Sequence, residues 1–141
     1  MFTPLAKLPY RHVLTLPTDP SAVRIARETA ELTLNAWGIG LRHPTVDPAL
    51  LILSELVTNS IRHAAVLSPQ VTVIYGASRD RLVVAVHDAH PYQPPLEKPI
   101  DDNDGGGLAT IKELVLDLGG TALVRPDTPA GGKGIWITLP L

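Results

Sequence analysis

The chain has 141 residues, the size of one ordinary domain, and its 45% hydrophobic and 18% charged residues exclude a disordered polyelectrolyte. A net charge of −2 removes any compositional case for nucleic acid or an anionic membrane surface, since both call for a basic surplus. With no cysteine there is no disulfide, thiol nucleophile, iron–sulfur cluster or cysteine-ligated zinc. Apolar runs such as Leu82–Val86 fall far short of the roughly 18 residues of a membrane span, and the first twelve residues hold no signal-like stretch. The expectation is one cytoplasmic domain over residues 1–141.

His12–Leu16 is the first predicted strand, closed by Pro17. Thr18-Asp19-Pro20 then reads as a helix start, an Asx-type cap with proline at the first helical position. Val23, Ala26, Ala30, Leu34 and Trp37 recur at helical spacing, and Gly38 can end the helix in the left-handed conformation. Asp47-Pro48 opens a second helix, with Leu50, Leu53, Val57, Ile61 and Ala64 as its inward stripe. Val71–Tyr75 and Leu82–His87 are β-rich runs joined as a hairpin. Residues 89–104 form a loop with four prolines and the acidic stretch Asp101-Asp102-Asn103-Asp104.

Gly105-Gly106-Gly107 opens a third helix, whose Leu108, Ile111, Leu114, Val115 and Leu118 share a face, and Gly119-Gly120 ends it. Thr121–Arg125 and Ile135–Leu139 are the last strands, with Gly132-Lys133 in the hairpin loop between them. This order predicts a two-layer α/β sandwich of the α+β kind, a mixed, mostly antiparallel sheet with helices on one face.

Three features could carry chemistry. On the second helix Glu55, Asn59 and His63 stand four apart, one above another beside Arg62, opposite the apolar stripe. The plainer reading is a solvated helix face. Against it, asparagine is a poor helix former, wanted for a specific hydrogen bond or ligand. A carboxylate one turn from a neutral oxygen donor suits Mg²⁺, which keeps waters and phosphate oxygens beside few protein ligands. The second feature is Asp88, ending the apolar strand Val84-Ala85-Val86-His87. It is either a turn former or a partly buried acceptor for an exocyclic amine. The third is Asp104-Gly105-Gly106-Gly107-Leu108 before a helix, a flexible lead-in or a phosphate cradle backed by the helix dipole. His87-Asp88-x-His90 is a weaker metal candidate, because strand side chains alternate and no third ligand is evident. Trp37 and Trp136 fit packing roles.

Taken in order, these features resemble the N, G1 and G2 boxes of the GHKL (histidine-kinase-like) ATPase superfamily, whose fold is the Bergerat fold. Within it the chain most resembles the small stand-alone bacterial anti-sigma factors that are also serine-protein kinases. The resemblance runs from about His12 to Leu141. Ser54-Glu55-Leu-Val-Thr-Asn59-Ser-Ile-Arg-His63-Ala matches the N box, and Asp88 sits where the G1 aspartate sits. Gly105-Gly-Gly107-Leu-Ala matches G2, and Gly134-Ile-Trp136-Ile-Thr138-Leu-Pro140 matches the closing strand.

The resemblance implies that Asn59 ligates the Mg²⁺ bridging the ATP phosphates and that Glu55 is the general base. It implies that Asp88 receives the adenine amino group with support from Thr138. Gly105, Gly107 and Leu108 would offer N–H groups to phosphate, and residues 89–104 would be the lid. The implied activity is transfer of the ATP γ-phosphoryl group to a serine or threonine of a partner such as a sigma factor or an anti-sigma antagonist. Neither nucleic acid nor membrane is an expected partner, and a homodimer, the commonest symmetric assembly, stays open. Two departures keep an alternative in view: Ala89-His90-Pro91-Tyr92 stands where G1 expects glycines, and Gly106 where G2 often has arginine. That alternative is a non-catalytic protein-interaction module with a degenerate nucleotide site.

Overall fold

A computed structural model describes residues 8–64, 68–89, 107–126 and 132–141. The elements are β1 (Tyr10–Pro17), α1 (Ser21–Ala36), α2 (Val46–Ala64), β2 (Gln70–Ala77), β3 (Arg81–Asp88), α3 (Gly107–Asp117), β4 (Thr121–Pro126) and β5 (Lys133–Pro140). The strands form one sheet in the order β1-β2-β3-β5-β4. Every pair in it is antiparallel, so the expected mixed sheet is corrected to an antiparallel one. The reason is that β2–β3 and β4–β5 are directly successive, while the paths through α1 and α2 (β1 to β2) and through α3 and β4 (β3 to β5) return each strand beside its neighbour in the reverse sense.

The alternation of side chains sets the layers. Leu16, Val71, Val73, Tyr75, Leu82, Val84, Val86, Ile135, Ile137 and Leu139 face the helices and join one core with the buried stripes of α1 and α2. Helix α1 contributes Ala22, Ala26, Ala30 and Leu34. Its start differs from the expected Asp cap with proline at the first helical position: Pro20 takes the cap position without a side-chain cap bond, and the Asp19 carboxylate accepts the Ser21 N–H at 2.8 Å from just outside the helix. Gly38 follows with φ +80°, the left-handed turn that only glycine adopts without strain. Helix α2 buries more than one stripe, adding Ala49, Ile52 and Leu56 to Leu50, Leu53 and Val57, because α1 and α3 flank it while the sheet lies beneath.

Strand β3 is apolar without alternation, and its outward residues Val83 and Ala85 are also buried. Trp136, the cross-strand partner of Ala85, shares that outer face. Its indole lies along β5 so closely over Gly134 that a Cβ there would stand 2.8 Å from the Trp136 ring nitrogen. Trp37 stacks on Tyr10 with centroids 5.6 Å apart. Both tryptophans therefore pack as expected.

Tyr75 joins the two layers. Its hydroxyl donates to the Ala26 carbonyl at 2.7 Å, its ring stacks on His12 at 5.9 Å, and it is 1% exposed. Burial raises its phenol pKa well above the ordinary value, because the phenolate would be charged inside an apolar layer. Below about pH 10 the phenol is neutral in folded and unfolded chains alike, and its full contribution is present. Above that pH the unfolded chain ionises first, so stability falls by up to about 1.4 kcal/mol per pH unit from this group. Tyr75→Phe should lose about 1 kcal/mol at neutral pH and show a shallower alkaline decline in urea unfolding between pH 9 and 11. An identical alkaline slope in variant and wild type would contradict this assignment.

Candidate functional site

One end of the sheet gathers the strand termini Pro17, Gln70, Asp88, Pro126 and Lys133, which are consecutive register partners or neighbours across the five strands. Helix α2 starts at the far end, where Thr45 donates to the Pro140 carbonyl at 3.1 Å, and runs toward this one. There Ser60 donates its hydroxyl to Asp88 Oδ2 at 2.8 Å, so Asn59 and Ser60 arrive beside the end of β3. Helix α3 runs the same way reversed: it leads through Leu118–Gly120 into Thr121, which pairs with Thr138 at the far end. Its N-terminus at Gly107 thus points to the Asp88 end, bringing the positive end of its dipole there. Ser68 fastens the same edge by accepting the Ala89 N–H at 2.9 Å while donating to the Gln70 carbonyl at 2.7 Å.

Asn59 and Glu55 are both half-buried, whereas Arg62 is exposed. The column is therefore not a solvated face along its length, as a purely outward reading would have it. The Asn59 amide nitrogen is buried with no hydrogen-bond partner among the described residues. An unmet buried donor costs about 1–3 kcal/mol, so a helix that keeps one is holding it for something. The Glu55 carboxylate, one turn earlier, has no hydrogen bond or ion pair with a described residue. The side chain of His63 lies outside the described residues, as do Gly105, Gly106, His90 and the loop 90–104 expected to form a lid. Gly107 and Leu108 open α3.

Asp88 is at the expected strand end but not in the expected state. It is 2% exposed, and Lys133 Nζ donates to Oδ1 at 2.7 Å and to Oδ2 at 2.9 Å. Lys133 is itself 1% exposed. The expected hairpin-loop position of Lys133 is thus corrected: it is the first residue of β5, directly across from Asp88. Gly132, at φ +92°, makes the bend that delivers it. Thr138 is not brought to Asp88. It pairs with Val83, five residues away along β3, roughly 16 Å distant and on the opposite face of the sheet. The strand partner of Asp88 is Lys133.

Ser60 and Lys133 were both missed as site residues. A polar residue immediately after Asn59 and a lone lysine entering an apolar strand were the available signals. His87 turns to the outer face beside Gly134, so it cannot join Asp88 in a metal site. Among the described residues no group of three His, Asp or Glu side chains could hold a metal ion. A concavity of about 560 Å³ lies at the far end, lined by Tyr10, Trp37, His43, Ser78 and Arg79, away from Glu55, Asn59 and Asp88.

The residues fit a magnesium–nucleotide at one end and not at the other. An orphaned amide, an unpaired carboxylate and a helix N-terminus suit phosphate and its metal. The carboxylate for the base is already occupied by the chain's own ammonium and hydroxyl.

Among known structures the chain is similar to the catalytic domain of the histidine kinase ThkA in a nucleotide-free form, with TM-score 0.58 over 92% of this chain and 97% of that one at 13% identity. It is similar to full-length ShkA in complex with AMPPNP, with TM-score 0.57, 20% identity, and coverage of 92% of this chain and 31% of that one. These two likenesses show the fold. The histidine kinase domain of a blue-light activated histidine kinase from Erythrobacter litoralis matches at 26% identity and TM-score 0.52, over 69% of this chain and 45% of that one. The chain thus spans less than half of two of these relatives. No curated protein matches it. The family model of the histidine kinase-like ATPase domain matches residues 16–139, nearly the whole length. With that match, and with the antiparallel five-stranded sheet under three helices that these relatives share, the chain belongs to the histidine kinase-like ATPase domain family of the GHKL superfamily.

Proposed function

We infer that this chain is a Mg·ATP-binding regulatory protein of the anti-sigma-factor type, acting as a protein serine/threonine kinase. The partner would be a sigma factor or an anti-sigma antagonist, met in the cytoplasm. Membership of the family supports ATP binding. The observation that carries the reading is the buried, unpartnered amide of Asn59 beside the unpaired carboxylate of Glu55. No helix of the described residues is long and apolar enough to cross a membrane, which is compatible with that setting.

In this reading Asn59 holds the metal through its amide oxygen and offers its N–H to a phosphate oxygen. The metal would neutralise phosphate charge, the chemistry that dominates phosphoryl transfer. Gly107 and Leu108 present backbone N–H groups at the start of α3. Glu55 orients a hydroxyl of the partner and accepts its proton. The Lys133–Asp88 pair favours a second reading, an interaction module in which the nucleotide site is degenerate.

Calorimetric titration with ATP, with and without Mg²⁺, tests both. Wild-type affinity should rise with Mg²⁺, while Asn59→Ala should bind ATP equally in either condition. The variant should be at least as stable as wild type, because it removes an unmet donor and improves helix propensity. A variant that keeps the Mg²⁺ dependence would overturn the role of Asn59. A wild-type protein that binds no ATP would leave the module.

A further inference from the structure

The geometry points to Lys133 as an internal competitor for the base-reading carboxylate, so that this site takes nucleotides by their phosphates without selecting adenine. The inference rests on the nucleotide-binding reading above and specifies which ligands that site accepts. A carboxylate offers about four lone-pair sites to donors. At Asp88 one is taken by Ser60 at 2.8 Å and two by the Lys133 ammonium, which bridges both oxygens at 2.7 and 2.9 Å, and the residue has a further interaction besides these. Both side chains of the ion pair are 1% exposed, so water does not weaken it. The exocyclic amine of adenine is a neutral donor that would need the same oxygens. The ammonium brings a full positive charge and two hydrogen bonds, whereas the amine brings no charge and one bond, so the amine does not displace it.

Nor can Lys133 easily withdraw. Its backbone is fixed in the β3–β5 ladder opposite Asp88 and again in the ladder to Pro126. Gly132 is buried beside it, and Lys133 itself is 1% exposed. A lysine that leaves its partner here strands a buried carboxylate. The pair is thus a fixed part of the fold, and base selectivity is what it removes. The orphaned Asn59 amide belongs to the other end of the site and is untouched by it.

The test compares ATP with inosine triphosphate, which carries a carbonyl where adenine has its amine, by calorimetric titration in Mg²⁺. Wild type should bind the two within about twofold of each other. Lys133→Thr, which opens the carboxylate and leaves a small hydroxyl, should prefer ATP by at least about tenfold, as expected where a hydrogen-bonding site meets a ligand lacking the donor. Lys133→Gln retains a donor of similar reach without charge and serves where the threonine variant does not fold; the same preference for ATP is expected. A wild-type preference for ATP of tenfold or more overturns the proposal, and so does an unchanged ratio in the variants. If wild type binds neither nucleotide and a variant binds ATP selectively, the phosphates alone do not hold the nucleotide and the proposal is overturned. If no protein binds either nucleotide, the nucleotide-binding reading itself falls and this proposal with it.

Discussion

Lys133→Met should destabilise the protein by about 3–5 kcal/mol, a large share of the total stability of a domain this size. The cost does not measure what the ion pair contributes. It measures what the substitution leaves behind: a carboxylate 2% exposed that keeps the Ser60 hydroxyl but has lost the ammonium bridging both its oxygens. Bringing both charges into the interior already cost desolvation, which their attraction repays only because the ammonium bridges both oxygens. Replacing the pair together therefore gives a different result. Lys133→Met with Asp88→Leu should recover at least half of the loss, since two apolar side chains of similar size fill the same space. Ser60 then loses its acceptor, but a helical serine can bond the carbonyl four residues earlier. Urea unfolding at pH 7 measures all three proteins. A loss under about 1 kcal/mol in the single variant would mean that the carboxylate finds water or another partner.

That pair also shows where the sequence stopped being readable. The helices were legible because their apolar residues repeat at 3.6, and the stop at Gly38 follows from local chemistry alone, whereas the start of α1 falls one residue later than the Asp19 cap predicts. The helix carrying Glu55 and Asn59 was readable for the same reason, and the outward bias of its polar column was half right. Asn59 does stand off the apolar stripe, yet its amide nitrogen is buried. Burial of that kind is a tertiary property with no signature in spacing.

Cross-strand register was the least legible feature. Thr138 and Lys133 lie on the same strand, and nothing local says which one meets Asp88. A shift of five residues changes both the distance and the face. The lysine was hidden by a further ambiguity, since Gly-Lys-Gly between two strands reads as a hairpin loop. Only the pairing of β3 with β5 turns Lys133 into a buried partner. The continuous apolar run of β3 was visible, but its cause was not: Val83 and Ala85 are buried on the outer face, where Trp136 also lies.

Glu55→Gln should leave ATP affinity within about twofold of wild type and reduce phosphoryl transfer or hydrolysis by about 10²–10⁴-fold. Several features make this substitution clean. Glutamine is isosteric with glutamate and has nearly the same helix propensity, so α2 keeps its geometry. The Glu55 carboxylate has no salt bridge or hydrogen bond with a described residue, so no structural pairing is lost with the charge. What the amide cannot do is accept a proton from an attacking hydroxyl. Its place one helical turn before Asn59 sets it about 5–6 Å along the same face, close enough to serve the phosphate that Asn59 is proposed to hold. Transfer of label from γ-labelled ATP to a serine-containing partner, with ATP hydrolysis as the second readout, measures the step. Glu55→Asp provides the check on mechanism: it keeps the base but draws it back by one methylene, so it should retain more activity than the glutamine variant. A glutamine variant that turns over ATP at the wild-type rate makes Glu55 a bystander, and a wild type with no turnover would leave the interaction module as the reading of this fold.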